Sequence, residues 1–172
     1  MGFNASWLAV RGRPAESVLE VMRLKRTGAF EEVPESPVTG IALSSGWYLI
    51  FANDFGFIDR APLSRLSEGA EVVTCAVEEH VMASSASALR DGAAIWSILH
   101  DSQEGMQHLK VSGEPPDSFE AIRTRLFAEQ AAAGGDDSDT DYVWDVPVEV
   151  ALALTGFRHD QWIDGAKYER LK

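Results

Sequence analysis

Apolar positions along the chain follow two periods. The run SWLAVR at residues 6–11 reads as a strand that stops at Gly12-Arg13-Pro14. Ala15, Val18, Leu19 and Met22 then fall at i, i+3, i+4 and i+7, one apolar stripe of a helix whose first turn accommodates Pro14. Residues 27–40 hold Gly28, Gly40, Pro34 and Pro37, and a loop is expected there. Residues 41–43 and 47–52 form a hairpin around Ser44-Ser45-Gly46. Its second arm, WYLIFA, is apolar on both faces and is expected in the covered middle of a sheet. Asn53-Asp54-Phe55-Gly56 is turn chemistry, and residues 62–66 suit one helical turn.

Further on, residues 71–78 and 80–83 are β-rich, and 93–100 pairs with 106–112 in a hairpin around 101–105. Asp117, with Glu120 three residues later, has the spacing of a capping box. The helix it opens would bury Phe119, Ile122, Leu126 and Phe127 and stop at Gly134-Gly135. Residues 142–144 read as a short strand, 147–155 as a helix closed by Gly156, and 162–171 as a terminal helix. Hairpins dominate the connections and regular βαβ alternation is missing. The prediction is therefore a single α+β domain over residues 1–172, with a mainly antiparallel sheet of six to eight strands and four helices packed on it. Residues 134–140, GGDDSDT, contain no apolar side chain and are expected to form a flexible acidic loop.

Composition agrees with one ordinary globular domain: 172 residues, 45% hydrophobic and 24% charged. Charge adds more. Fifteen Lys and Arg stand against 27 Asp and Glu, a formal charge of −12. Residues 1–26 are net +3, from Arg11, Arg13, Arg23, Lys25 and Arg26 against Glu16 and Glu20, and the remainder is net −15. Such a field repels nucleic-acid phosphates and anionic lipid, and it attracts a basic protein partner. No run approaches the eighteen apolar residues of a membrane span, and no basic segment precedes an apolar run at the start. With one cysteine, Cys75, no intramolecular disulfide can form, and a cytoplasmic location is expected. Residues 2–6 match an acylation pattern and Asn4-Ala5-Ser6 a glycosylation sequon, but both strings are short enough to arise by chance.

Candidate chemistry is sparse. Asp137-x-Asp139-x-Asp141 has the first half of a calcium-loop spacing. It then places Tyr142 where the turn needs glycine and Val148 where a bidentate glutamate is needed, so a solvated acidic loop is expected and no metal. Asp54-Phe55-Gly56 spells the kinase magnesium tripeptide without any other kinase element. Four histidines leave a general-base reading open, with His100 or His80 oriented by Asp101 or Glu79. His100 is expected semi-buried on the face of Trp96 and Ile98, and His108 wet on the opposite face. Cys75, between Val73 and Val77, reads as core. No nucleophile elbow, P-loop or dinucleotide fingerprint occurs, and no cofactor is expected. The N-terminal arginines could cradle an anion, although a solvated face is the plainer reading. Most of the five tryptophans should be core, and an exposed one would mark a partner or ligand surface.

The strings SWLAVRGRPAESVL, SGWYLIFAND, CAVEEHVMASS, IWSILHD and VPVEVALALTGF resemble a set of small uncharacterised bacterial proteins. That resemblance implies no activity and no site residue. The reading that follows is a non-catalytic acidic interaction domain, an antidote, inhibitor or regulator of a basic protein, with Asp136, Asp137, Asp139, Asp141, Tyr142 and Trp144 as contacts. A homodimer is compatible with it. The alternative is a small enzyme or ligand-binding domain with a His–carboxylate pocket.

Overall fold

A computed structural model describes residues 2–172. Its strands are β1 (Asn4–Arg11), β2 (Arg26–Glu31), β3 (Val38–Ala42), β4 (Tyr48–Ala52), β5 (Glu71–Glu78), β6 (Ala83–Arg90), β7 (Ala93–Asp101), β8 (Lys110–Gly113) and β9 (Tyr168–Leu171). The helices are α1 (Ala15–Met22), α2 (Leu63–Leu66), α3 (Phe119–Ala132) and α4 (Asp145–Thr155). All nine strands join one sheet in the order β2-β9-β3-β4-β1-β5-β6-β7-β8, every neighbouring pair antiparallel. The class is α+β with an antiparallel sheet, as the periodicity implies, and it has nine strands.

β1 lies between β4 and β5, which explains why its six inner residues are all buried. Its odd positions, Trp7 and Ala9, share one face with Leu49, Phe51, Val73 and Cys75, which α3 and α4 cover. Its even positions, Leu8 and Val10, meet α1 and α2 through Val18, Leu19 and Leu66. A strand with both faces covered reads as an unbroken apolar run because solvent never selects polar residues on alternate positions.

Five expectations are corrected. Part of the 27–40 loop is β2, an edge strand with a register shift and Gly28 at φ +74°; such bulged edges resist further pairing. β6, ASSASALR, lacks the β-branched pattern of a strand, and 79–82 is a turn. Pairing along both edges of β6 overrides the weak propensity of Ser and Ala. Residues 162–171 form turns and then β9 in place of a helix, since Gly165 takes φ +69° and Tyr168–Leu171 pairs with β2 and β3. Residues 142–144 are a turn leading into α4, which begins at Asp145 instead of residue 147. The capping box of Asp117 and Glu120 does not form: Ser118 precedes α3 and no side chain caps it.

Small side chains on the helix-facing side of β6, Ser84, Ala86 and Ala88, leave room for α4 to lie against the sheet. Gln130 of α3 is fully buried and organises the acidic segment behind it. Its Nε2 donates to the carbonyls of Gly135 (2.8 Å) and Thr140 (3.1 Å), and its Oε1 accepts from Tyr142 N (2.8 Å). Substituting Gln130→Ala is expected to cost about 1–3 kcal/mol in urea unfolding and to speed proteolysis within 134–140. A loss below about 0.5 kcal/mol would mean that the segment holds itself together.

Candidate functional site

Alternation along β7 places Trp96, Ile98 and His100 on the face beneath the helices, and His100 has no solvent-exposed surface. Its Nδ1 lies 2.6 Å from the His108 carbonyl, which can only accept, so Nδ1 carries a proton. Its Nε2 lies 2.7 Å from Oδ2 of Asp141, and Oδ1 of Asp141 accepts from Trp144 N at 3.0 Å just ahead of α4. The last carboxylate of the Asp137-x-Asp139-x-Asp141 string therefore turns inward, which separates it from the other two. Among the described residues no group of three or more His, Cys, Asp and Glu side chains could hold a metal ion.

Neither expected His–carboxylate pair forms. Asp101 follows His100 on a strand and so points to the other face, where its Oδ1 accepts from Gln103 N (2.9 Å). His80 is exposed in the β5–β6 turn and pairs with Glu78 (Nδ1 to Oε1, 2.8 Å) instead of Glu79. The His80 backbone N–H on that carboxylate, ahead of the ring's own contact, holds Glu78 below the usual glutamate range. Glu79 turns away, accepting from Phe3 N (3.0 Å) and lying 3.7 Å from Nε2 of His159. His108 is not across a strand pair from His100. β8 starts only at Lys110, and His108 sits half-buried with its ring 6.2 Å from that of His100, its Nδ1 accepting from Asp101 N (3.0 Å).

These contacts gather three connections at one end of the sheet: the β5–β6 turn, the β7–β8 connection and the α3–α4 connection. Ser102 donates from N to the Met82 carbonyl and from Oγ to that of Val81 (3.1 and 3.0 Å), joining the first two. His100 joins the second to the third through Asp141. Ser84 Oγ donates to the Trp144 carbonyl (2.7 Å) and Trp144 Nε1 donates to that of Ala83 (2.9 Å), closing the triangle. The surface so formed carries Glu78, Glu79, Asp101, Glu104, Asp136, Asp137 and Asp139. No Lys or Arg occurs in residues 78–85, 99–109 or 131–144. Asp136, Asp137 and Asp139 are exposed and Tyr142 is half-buried, whereas Asp141 and Trp144 are buried and offer no side chain to a partner. Of the N-terminal basic residues, Arg11 pairs with Glu71 and Arg26 with Glu16 and Glu169, whereas Arg13, Arg23 and Lys25 form no ion pair among the described residues.

Beside this end lies a cavity of about 250 Å³ that periodicity could not anticipate, because its walls come from five separate segments. Phe51, Phe157 and Tyr168 are its buried lining, while Phe3 (39% exposed) and Trp162 (65%) stand at its edge. No protein-family model, curated protein or solved structure matches the chain. His159 also borders the cavity, but its ring is sealed by the edge of Phe3 (centroids 4.7 Å), by Trp7 (5.8 Å) and by Trp144 (5.8 Å). Neither ring nitrogen makes a hydrogen bond. Burial holds the His159 imidazole below its ordinary pKa, so it is neutral in the fold. Cys75 is buried mid-sheet and its thiol is pushed well up by burial, which leaves it unreactive. No helix of the described residues is long and apolar enough to cross a membrane.

Two measurements test this geometry. Asp141→Ala should cost about 3–5 kcal/mol in denaturant unfolding, because a buried imidazole loses its partner. The combined Asp136→Ser, Asp137→Ser and Asp139→Ser variant should lie within about 0.5 kcal/mol of wild type; equal losses in the two proteins would contradict the burial of Asp141. For His159, the unfolded chain binds the proton that the folded state refuses. Stability should therefore be full above pH 6.5 and decline as pH falls below it. His159→Leu should flatten that decline, and an unchanged pH slope would contradict a sealed neutral imidazole.

Proposed function

We propose that this chain is a non-catalytic cytoplasmic docking domain whose acidic end captures a basic protein, as an antidote, inhibitor or regulator does. The observation that carries the reading is the convergence of three connections that hold Glu79, Glu104, Asp136, Asp137 and Asp139 with no Lys or Arg, beside Glu78 and Asp101 at the adjoining strand ends. Like charges this close repel one another, and here hydrogen bonds beneath them keep the loops in place. A patch fixed before encounter loses little freedom on binding and steers an oppositely charged partner from a distance.

Enzymatic use of the histidines has less support. General-base work needs an imidazole that can reach a substrate with a carboxylate behind it. His100 has both nitrogens engaged and no accessible surface, the His159 ring is covered, and His80, although backed by Glu78, stands on an open turn away from the cavity.

The test uses a basic protein retained on the immobilised chain at low salt and released at high salt. Changing Asp136, Asp137 and Asp139 to Lys should lower its association rate about 10-fold or more at low ionic strength and flatten the salt dependence. Asp141 is left intact because its change would perturb folding. Unchanged rates would remove this end of the molecule from the interface.

A further inference from the structure

We infer that the aromatic cavity beside the acidic end receives a single lysine side chain of the basic partner. This deepens the docking reading and rests on it for the source of the lysine, but the chemistry of the cavity can be tested alone. At about 250 Å³ the cavity is smaller than the roughly 300–1,000 Å³ that drug-sized ligands occupy, which suits one side chain better than a nucleotide or cofactor.

The cavity walls select for an apolar stem that ends in positive charge. Phe3 and Trp162 are the accessible rings, standing at the edge over the buried Phe51, Phe157 and Tyr168, and an aromatic ring attracts a cation placed over its face. No Lys or Arg borders the cavity, and its two carboxylates are Glu32 and Asp160. Asp160 already receives Arg158 at 2.6 Å, and Arg158 also binds Asp145, whereas Glu32 forms no ion pair among the described residues. An anion would meet Glu32 unopposed. Glu32 offers a cationic head one unpaired carboxylate, and an ammonium on a four-carbon stem needs only that charge and apolar walls. The cavity adjoins the acidic surface through Phe3, whose carbonyl accepts from Glu79 N (2.9 Å) and whose N donates to the Glu79 carboxylate (3.0 Å).

Trp162 is exposed, so truncating it leaves the core intact, whereas Phe3 covers the buried His159 ring and is left unchanged. The experiment is an NMR titration of the full chain with n-butylammonium, the lysine side chain beyond Cα, and with the neutral isostere 1-butanol. Alongside it, retention of the chain on immobilised poly-L-lysine is measured at low salt. Butylammonium should shift the Trp162, Phe3 and Tyr168 signals saturably, more tightly than butanol, and Trp162→Ala should weaken that binding about fivefold. Wild type should be retained on polylysine more strongly than Trp162→Ala. If butanol binds as well as butylammonium, or neither shifts these signals, the lysine pocket is overturned. Retention that depends on Asp136, Asp137 and Asp139 but not on Trp162 would then leave the docking reading standing by itself. Butylammonium binding without any polylysine retention would support the cation pocket while contradicting the acidic surface as a docking face.

Discussion

The imidazole of His100 holds together the end of the molecule on which the functional reading depends. It sits between the His108 carbonyl and the Asp141 carboxylate, 2.6 and 2.7 Å away, where water cannot reach. A buried carboxylate or a buried imidazole alone would be costly; together they satisfy each other and fasten the β7–β8 connection to the start of α4. Trp144 then anchors the same helix end to β6 through its indole and its carbonyl. The acidic loops are thus consequences of a polar contact inside the core, and their shape is set from below.

That arrangement separates two tasks between residues that look alike in the sequence. Asp141 and Trp144 build the surface from within, and Asp136, Asp137 and Asp139 supply its charge. The aromatic cavity adds what a charged patch lacks. Long-range attraction speeds encounter but discriminates poorly, whereas a ring-lined recess that accepts one side chain gives register and a slower departure. Phe3 belongs to both regions, paired with Glu79 on one side and packed on His159 and the cavity on the other.

Much of the fold was legible where burial is one-sided or complete. WYLIFA announces the covered middle of the sheet, SWLAVR announces a strand, Ala15 to Met22 announces α1, and the core role of Cys75 follows from its strand neighbours. β6 was not legible, because Ser84, Ser85 and Ser87 carry no strand signal and the strand exists by pairing with both neighbours. β9 was hidden for a related reason, as four residues between β2 and β3 contain too little pattern to outweigh a helical reading of the tail. For the site, sequence could flag His100 and the aspartates, but pairing across 41 residues is set by tertiary packing, and adjacency wrongly favoured Asp101 and Glu79 as partners. The cavity had no linear signal, since Phe3, Phe51, Phe157 and Tyr168 meet only once the sheet has closed around β1.

The most direct measurement is a hydrogen-exchange footprint of the chain bound to the basic protein it captures, compared with the free chain. Slowed exchange is expected in residues 79–82, 101–109 and 133–140 and around Trp162, with α1, α2 and the opposite end of the sheet unchanged. Protection confined to α1, α2 or β2, with the three acidic connections exchanging as in the free chain, would contradict a docking function built on the buried His100–Asp141 contact.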